Sequence, residues 1–320
     1  MAYRVNIKTF ERIEKRQQPG RFGSAYEPAI RATVAEAPRI SRPSTIVAPT
    51  LGREVHVLST AELGFALLAL MHPKLVDLHE QKVIPRWPAS HPTCGLPGVI
   101  AADLPNFRGS IQVADSLGYR DVLPYVYDRD EDGRRIPIVY PYLGDLLLFL
   151  NDADGVYCVN WSVKNQTGDH FKPGPEVPKP YSDTELRKAR ARHEIEVGTY
   201  ADAGIRTVPA AADELDKNLV ANLARIYPFV IGEAELPASV ISYLKNCFAQ
   251  VFEVGEPPDG TITRLVGRGI CTVWEAQCVL CKMIYREEIE VDMFSPIIFD
   301  RPLRWRSHSP FERYARWFSR

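Results

Sequence analysis

Long apolar runs are missing from this 320-residue sequence. The longest, around Leu63–Met71, falls well short of the roughly 20 residues that a membrane-crossing helix needs, so no membrane span is expected. The opening residues, Met-Ala-Tyr-Arg-Val-Asn-Ile-Lys-Thr-Phe, have no apolar core of the kind a secretory leader carries, and a cytoplasmic chain is expected. Cysteine is scarce, with six residues and no disulfide framework. Cys278 and Cys281 form a C-x-x-C pair, but no second pair comes after it. Trp274, Val279, Leu280 and Met283 around them suggest an apolar helix, so buried cysteines are expected and zinc is not. There is no internal repeat and no low-complexity tract. An excess of charge of either sign is also lacking, with 39 Lys+Arg against 40 Asp+Glu. With 45% hydrophobic and 25% charged residues, the composition excludes a disordered tail, a collagen-like fibre and a coiled-coil rod.

The charge that is present is unevenly distributed. Residues 1–54 hold 10 basic and 5 acidic side chains, and residues 301–320 hold 6 Arg and 1 Glu. The middle is therefore acidic. Basic ends on an acidic body suit a protein that grips a polyanion, and equally suit two solvated ends. Near the C-terminus Arg304, Trp305, Arg306, Arg313, Arg316 and Trp317 interleave arginine with aromatics, a composition for phosphate and base contact or for docking on a protein.

Prolines and glycines from Pro19 to Pro49 make residues 1–57 read as an irregular basic arm packed on the core, with one helix near Thr9–Gln18. Ser59 and Glu62 then form a capping box ahead of a helix whose apolar face is Leu63, Leu67, Leu70 and Met71. Alternation over Leu75–Val83 predicts a strand. Residues 85–135 read as a surface elaboration with a short helix near Val113–Leu123 and a polar turn at Asp128–Arg135. The apolar run Leu146–Leu150, a turn at Asn151–Gly155 and alternation over Val156–Lys164 predict a hairpin with one apolar and one polar face. After a link at Pro173–Pro180, Ser182 and Glu185 cap a helix over Asp183–Ala203, basic at Arg187, Lys188, Arg190 and Arg192. A short strand at Ile205–Val208 and a helix at Asp213–Tyr227 come next. Beyond Pro228 the pattern predicts a mostly helical domain over 229–320, with helices near Ala238–Phe252 and Ile270–Tyr285 and a turn at Pro257–Gly260.

The chemistry-bearing pattern lies on the hairpin. Asp145 opens one strand, and Ser162-Val163-Lys164 ends the next, beginning 17 residues later. Upstream, Glu62 lies in the first turn of its helix. A hard divalent cation such as Mg²⁺ takes oxygen ligands and keeps several waters, so one or two carboxylates suffice to hold it. Asp145 and Glu62 are the candidate ligands, with the Val163 carbonyl as a third. Lys164 lies on the same strand face as Ser162, placed to orient water or stabilise developing charge. Each residue also has a plainer reading: Glu62 as a capping partner, Asp145 as a turn residue, Lys164 as a solvated strand end. His79, His170 and His193 read as structural.

The wider sequence resembles TnsA, the endonuclease subunit of heteromeric cut-and-paste transposases. Tyr26-Glu27-Pro28, Gly52–Glu62 (Gly-Arg-Glu-Val-His-Val-Leu-Ser-Thr-Ala-Glu), Pro73–Gln81, Gly144-Asp145 and Ser162-Val163-Lys164 resemble its motifs in order. Arg192 through Leu223 resembles the helix and strand that come next in that family. Ser162 stands where the family has Gln or Glu. The resemblance implies a restriction-endonuclease-like α/β core, a mixed sheet flanked by helices, over 58–228, with a smaller helical C-terminal domain for partner binding. It implies Mg²⁺-dependent cleavage (Mn²⁺ as substitute) at the 5′ ends of a transposon by Glu62, Asp145 and Lys164, with Ser162 auxiliary. It further implies a DDE-type, TnsB-like transposase and a TnsC-like ATPase as partners, and a nucleoid-associated location. Arg187, Lys188, Arg304, Arg306, Arg313 and Arg316 are candidate DNA or partner contacts. A stand-alone restriction or repair nuclease, and a catalytically degenerate assembly subunit, are the alternatives.

Overall fold

The computed structural model describes residues 5–38, 41–174 and 180–320. Most of the expected link at Pro173–Pro180 therefore lies outside the described residues. Chain contacts divide the molecule into two units. The first comprises Met1–Ala69, Lys74–Glu214 and Trp317–Arg320; the second comprises Leu70–Pro73 and Leu215–Arg316.

The first unit begins with α1 (Ile7–Arg16), capped by Asn6 and Thr9, which buries Ile13 completely. Two short strands, β1 (Ser44–Ala48) and β2 (Arg53–Val57), pair antiparallel. They correct the expectation of an irregular arm: Ile46, Ala48, Val55 and Val57 are buried, and flanking prolines hide the alternation. Then come α2 (Thr60–Met71) and β3 (Leu75–Glu80). The segment α3 (Ser110–Ser116), β4 (Tyr125–Arg129) and β5 (Arg135–Val139) is next, the two strands forming a separate hairpin.

The main sheet is built from β3, β6 (Leu146–Asp152), β7 (Gly155–Lys164) and β8 (Arg206–Ala211), in that order. The β3–β6 and β6–β7 pairs are antiparallel, and β7–β8 is parallel. The helix α4 (Asp183–Asp202) supplies the crossover between the parallel strands, its N-terminus closed by the expected Ser182–Glu185 box. The protein is thus a mixed four-stranded sheet with flanking helices.

The hairpin β6–β7 forms as its sequence predicts, but neither face is solvent-exposed. Leu146–Leu150 and Cys158–Val163 are buried on both sides. Trp161 packs beneath Phe65 of α2 and Trp317, and Asn160 on the opposite face meets Glu196 of α4. Each fully buried Leu contributes about 1.5–3 kcal/mol. The final residues fasten this strand: Trp161 Nε1 donates to the Trp317 carbonyl at 2.7 Å, and Tyr157 Oη donates to the Phe318 carbonyl at 2.8 Å.

Residues 85–135 are not a surface elaboration throughout. Ile111, Ala114 and Leu123 pack on Ala191 and Ile195 of α4, and Phe107 joins a second cluster with Phe149 and Tyr200. Gly109 (φ +98°) lets the chain pass Arg86 and Trp87; an added Cβ would lie 2.5 Å from the Arg86 carbonyl oxygen. The apolar positions are scattered between prolines, which conceals them in the sequence.

The second unit is mostly helical: α5 (Lys217–Ile231), α6 (Ala238–Val254), α7 (Pro258–Gly267), α8 (Val273–Tyr285) and the short α9 (Pro310–Arg313). A further short helix, α10 (Ala315–Phe318), leads into the chain end. The helix expected to stop before Pro228 continues through it, and the unit boundary falls at Leu215 rather than 228. The expected turn at Pro257–Gly260 is the first turn of α7, where Pro258 occupies a position whose N–H would have no helical partner. Asn222 staples α5 to the loop after α8, donating to the Met293 and Ser295 carbonyls and accepting from Ile297 N. Cys278 and Cys281 are buried in α8, and burial pushes the Cys281 thiol up to about 12. No helix among the described residues is long and apolar enough to cross a membrane.

Candidate active site

The site lies in the first unit, where β6 starts, β7 ends and α2 begins. Asp145 immediately precedes β6. Its Oδ2 accepts from Val163 N at 2.7 Å and from Lys164 Nζ at 3.3 Å. The Lys164 ammonium also donates to the Val163 carbonyl at 2.9 Å. Antiparallel pairing of β6 with β7 sets Leu146 opposite Trp161, which brings Asp145 beside Val163 and Lys164.

Glu62 enters from the N-terminus of α2. Ser59 Oγ accepts from Glu62 N at 3.1 Å and donates to Glu62 Oε1 at 3.0 Å, so the capping role is real. The carboxylate also accepts from Leu58 N at 2.9 Å and from Gln81 Nε2 at 3.0 Å. Gln81 is held in a left-handed conformation (φ +50°), uncommon for a residue with a side chain. From there its N–H donates to the Asp145 carbonyl at 3.0 Å, tying Glu62 and Asp145 to one residue. Burial, and then the charge of Asp145, raise Glu62 to about 7. The capping bonds therefore leave Glu62 within reach of the charge of Asp145.

A third carboxylate, Glu196 of α4, was not anticipated from sequence. It is 3% exposed, accepts from Asn160 Nδ2 at 2.9 Å, and is raised by burial and then by Asp145. The signal for it is a charged residue in the buried stripe of α4, among Ala191, Ile195, Thr199 and Tyr200. Asn160 Oδ1 and Tyr200 Oη, both buried, have no hydrogen-bond partner among the described residues, and both would lie 3.3 Å from a Cβ at Gly144. A side chain at Gly144 would press on this polar cluster just before Asp145.

Ser162 is 2% exposed on β7, and its carbonyl accepts from His170 Nε2 at 2.8 Å. The expected site residues Glu62, Asp145, Ser162, Val163 and Lys164 are thus brought into one region. The basic candidates are not. Arg187 is engaged in a bidentate pair with Asp121 at 2.5 and 2.9 Å. Arg304, Arg306 and Arg313 belong to the second unit. Arg306 pairs with Glu287 at 2.6 Å, and Arg313 lies over the Phe294 ring at 4.4 Å. Arg316 is in the last turn of α10. Trp317 is buried in the first unit, which removes it as a surface for stacking bases. Lys188 alone of this group faces the site region, in a cavity that Lys164 and Glu196 also line.

Other residues of the motif stretches form a buried polar network. Arg53 forms two 2.9 Å bonds with the fully buried Glu80, which also accepts from His56 N at 2.9 Å. Asp77 accepts from Gly23 N at 2.7 Å and from His79 Nε2 at 3.1 Å. The His79 ring stacks on Tyr26 at 3.7 Å, and burial pulls its pKa down to about 4. This network pins the N-terminal segment and β2 to β3.

Asp145, Glu62 and the Val163 carbonyl offer only oxygen donors, although no group of three or more carboxylate, His or Cys side chains among the described residues is placed to hold an ion. Lys164 already places a positive group against Asp145 Oδ2 and the Val163 carbonyl, and burial, then the charge of Asp145, raise Glu62 and Glu196. Oxygen donors with surplus negative charge are the set Mg²⁺ takes. No protein-family model matches this sequence, and no curated protein matches it significantly. The resemblance to TnsA rests on the motif residues themselves.

Proposed function

We propose that this chain is a metal-dependent DNA endonuclease, the TnsA-like subunit of a heteromeric transposase, built on a restriction-endonuclease-like core. The observation that carries the reading is the convergence of Asp145 and Lys164, from the two strands of one hairpin, with Glu62 from a helix far upstream in sequence, Lys164 lying 3.3 Å from Asp145. In this reading Asp145, Glu62 and the Val163 carbonyl hold Mg²⁺, and Mn²⁺ can substitute. Bound Mg²⁺ neutralises phosphate charge and lowers the pKa of its water.

The residues of the chain do the rest. Lys164 donates toward oxygen and stabilises charge that builds on the phosphate. Burial and the charge of Asp145 raise Glu62 to about 7 in the metal-free chain, so a cation binding this carboxylate would displace a proton near neutrality. Glu196 keeps Asn160 and the buried cluster in register behind Asp145. Hydrolysis adds water across one phosphorus–oxygen bond, at the 5′ ends of the element. A TnsB-like DDE transposase cleaves the 3′ ends, and a TnsC-like ATPase engages the helical second unit.

The test is a reconstituted reaction with the neighbouring transposase and DNA carrying the element's ends. Asp145→Ala is expected to abolish 5′ nicking while 3′-end processing persists. Unchanged 5′ nicking in that variant would sink the assignment.

A further inference from the structure

A cavity of about 340 Å³ opens beside Lys164 and Glu196. One of its walls is a single face of α4, on which Lys188, Ala189, Arg192, His193 and Glu196 recur at helical spacing. On that face Lys188 and Arg192 lie between Glu185 in the first turn and the buried Glu196. Lys164 and Lys172 add positive charge from the other side.

The two carboxylates in the wall are already engaged. Glu185 caps its own helix through Ser182 N and Oγ, both at 2.8 Å, and Glu196 is bound by Asn160. Lys172 is paired with Asp169 at 3.0 Å. Lys188 and Arg192 are exposed and make no ion pair among the described residues, though Arg192 donates to the Leu143 carbonyl at 3.3 Å. Positions four apart on a helix lie about 6 Å apart along its axis, so Lys188, Arg192 and the catalytic centre form evenly spaced steps. Cations in a row, leading to a centre that acts on phosphate, suit a polyanion better than a single anion.

We infer that this cavity holds one strand of nucleic acid, with Lys188 and Arg192 taking successive phosphates next to the one positioned at Lys164. The inference rests on the nuclease reading for the identity of the strand. It deepens that reading by giving the strand a path along α4, away from the second unit's arginines.

The test is binding of a fluorescein-labelled single-stranded oligodeoxynucleotide, read by anisotropy across a salt series in EDTA, where the nuclease reading allows no turnover. Lys188→Glu is compared with Arg190→Glu, the same charge change two residues away and outside the cavity. Lys188→Glu is expected to weaken binding about tenfold or more and to flatten the salt slope by about 0.7. Arg190→Glu is expected to weaken it less than about twofold. Ala189→Phe, which narrows the cavity without changing charge, is expected to weaken binding at an unchanged slope.

Equal losses from Lys188→Glu and Arg190→Glu, an unaffected Lys188→Glu, or no binding by the intact chain would each overturn the inference. So would competition by a mononucleotide as strong as that of the oligonucleotide, which would mark a small-anion site. Absence of Mg²⁺-dependent nicking alongside the expected binding pattern removes the nuclease reading and leaves the strand site standing.

Discussion

Two buried polar clusters flank the same sheet, and their charge balance separates them. Around β3, Arg53 is locked between the two oxygens of Glu80, while Asp77 is saturated by the N–H groups of Gly23, Leu78 and His79. At the start of β6, three carboxylates, Glu62, Asp145 and Glu196, share a neighbourhood with Lys164. The carboxylates of the first cluster have their partners already, although Arg53 Nε and His79 Nδ1 find no hydrogen bond among the described residues. The second has more negative charge than its one close ammonium matches. Burial does not distinguish them, since Glu80, Glu62 and Glu196 are all nearly inaccessible. The two clusters thus differ in charge balance rather than in burial.

The comparison can be broken from either side. Replacing Arg53 by Met leaves Glu80 buried without its partner, and the expected cost is about 3–5 kcal/mol of stability. Urea unfolding measures it, and nicking per folded molecule should be unchanged. A loss below about 1 kcal/mol would contradict the view that this pair is structural.

Lys164→Ala should do the reverse. Removing a donor aimed at developing charge lowers nicking by about 10²–10³-fold, while the melting temperature barely moves, because its pair with Asp145 is partly exposed. Wild-type nicking rates in this variant would detach Lys164 from catalysis.

The third effect is one of pH. Glu62 is raised from 4.5 to about 7 in the folded chain. Its contribution is therefore fully present below pH 4.5 and is lost as pH rises through about 7. In EDTA the protein should lose up to about 3 kcal/mol between pH 5 and 8 from this group. Glu62→Gln should flatten that part of the profile, so that the variant matches or exceeds the parent at pH 8. Parallel profiles in urea titrations would show that the like charges at the site are not felt.

The smallest expected effect is Arg187→Ala. Its pair with Asp121 is exposed, so its removal should leave the urea midpoint and oligonucleotide affinity nearly unchanged. A large loss of affinity would return Arg187 to the DNA-contact group.

Much of this was legible in the sequence where local pattern and tertiary role coincide. The run Leu146–Leu150, its turn and the alternation after Val156 announce β6 and β7, and the strand ends carry Asp145 and Lys164 with them. The boxes at Ser59 and Ser182 set the starts of two helices correctly. Glu196 was not legible, because its helix reads as a basic surface helix until the sheet and residues 111–123 cover its inner face. The β1–β2 hairpin was hidden by prolines on either side. The polar face expected on β7 vanished because α4 covers it and Asn160 finds Glu196 there. In each case the missing information was the neighbouring element that packs on top.

The return of Trp317–Arg320 to the first unit makes the second unit an insertion rather than an appendage. Both ends of that insertion are anchored in the chain that carries the site. Trimming from the C-terminal side therefore strips Trp317 and Phe318 from beneath β7 before it reaches a single helix of the second unit. A deletion that spares Lys164 must be internal, joining Glu214 to Trp317 and leaving the last four residues in place.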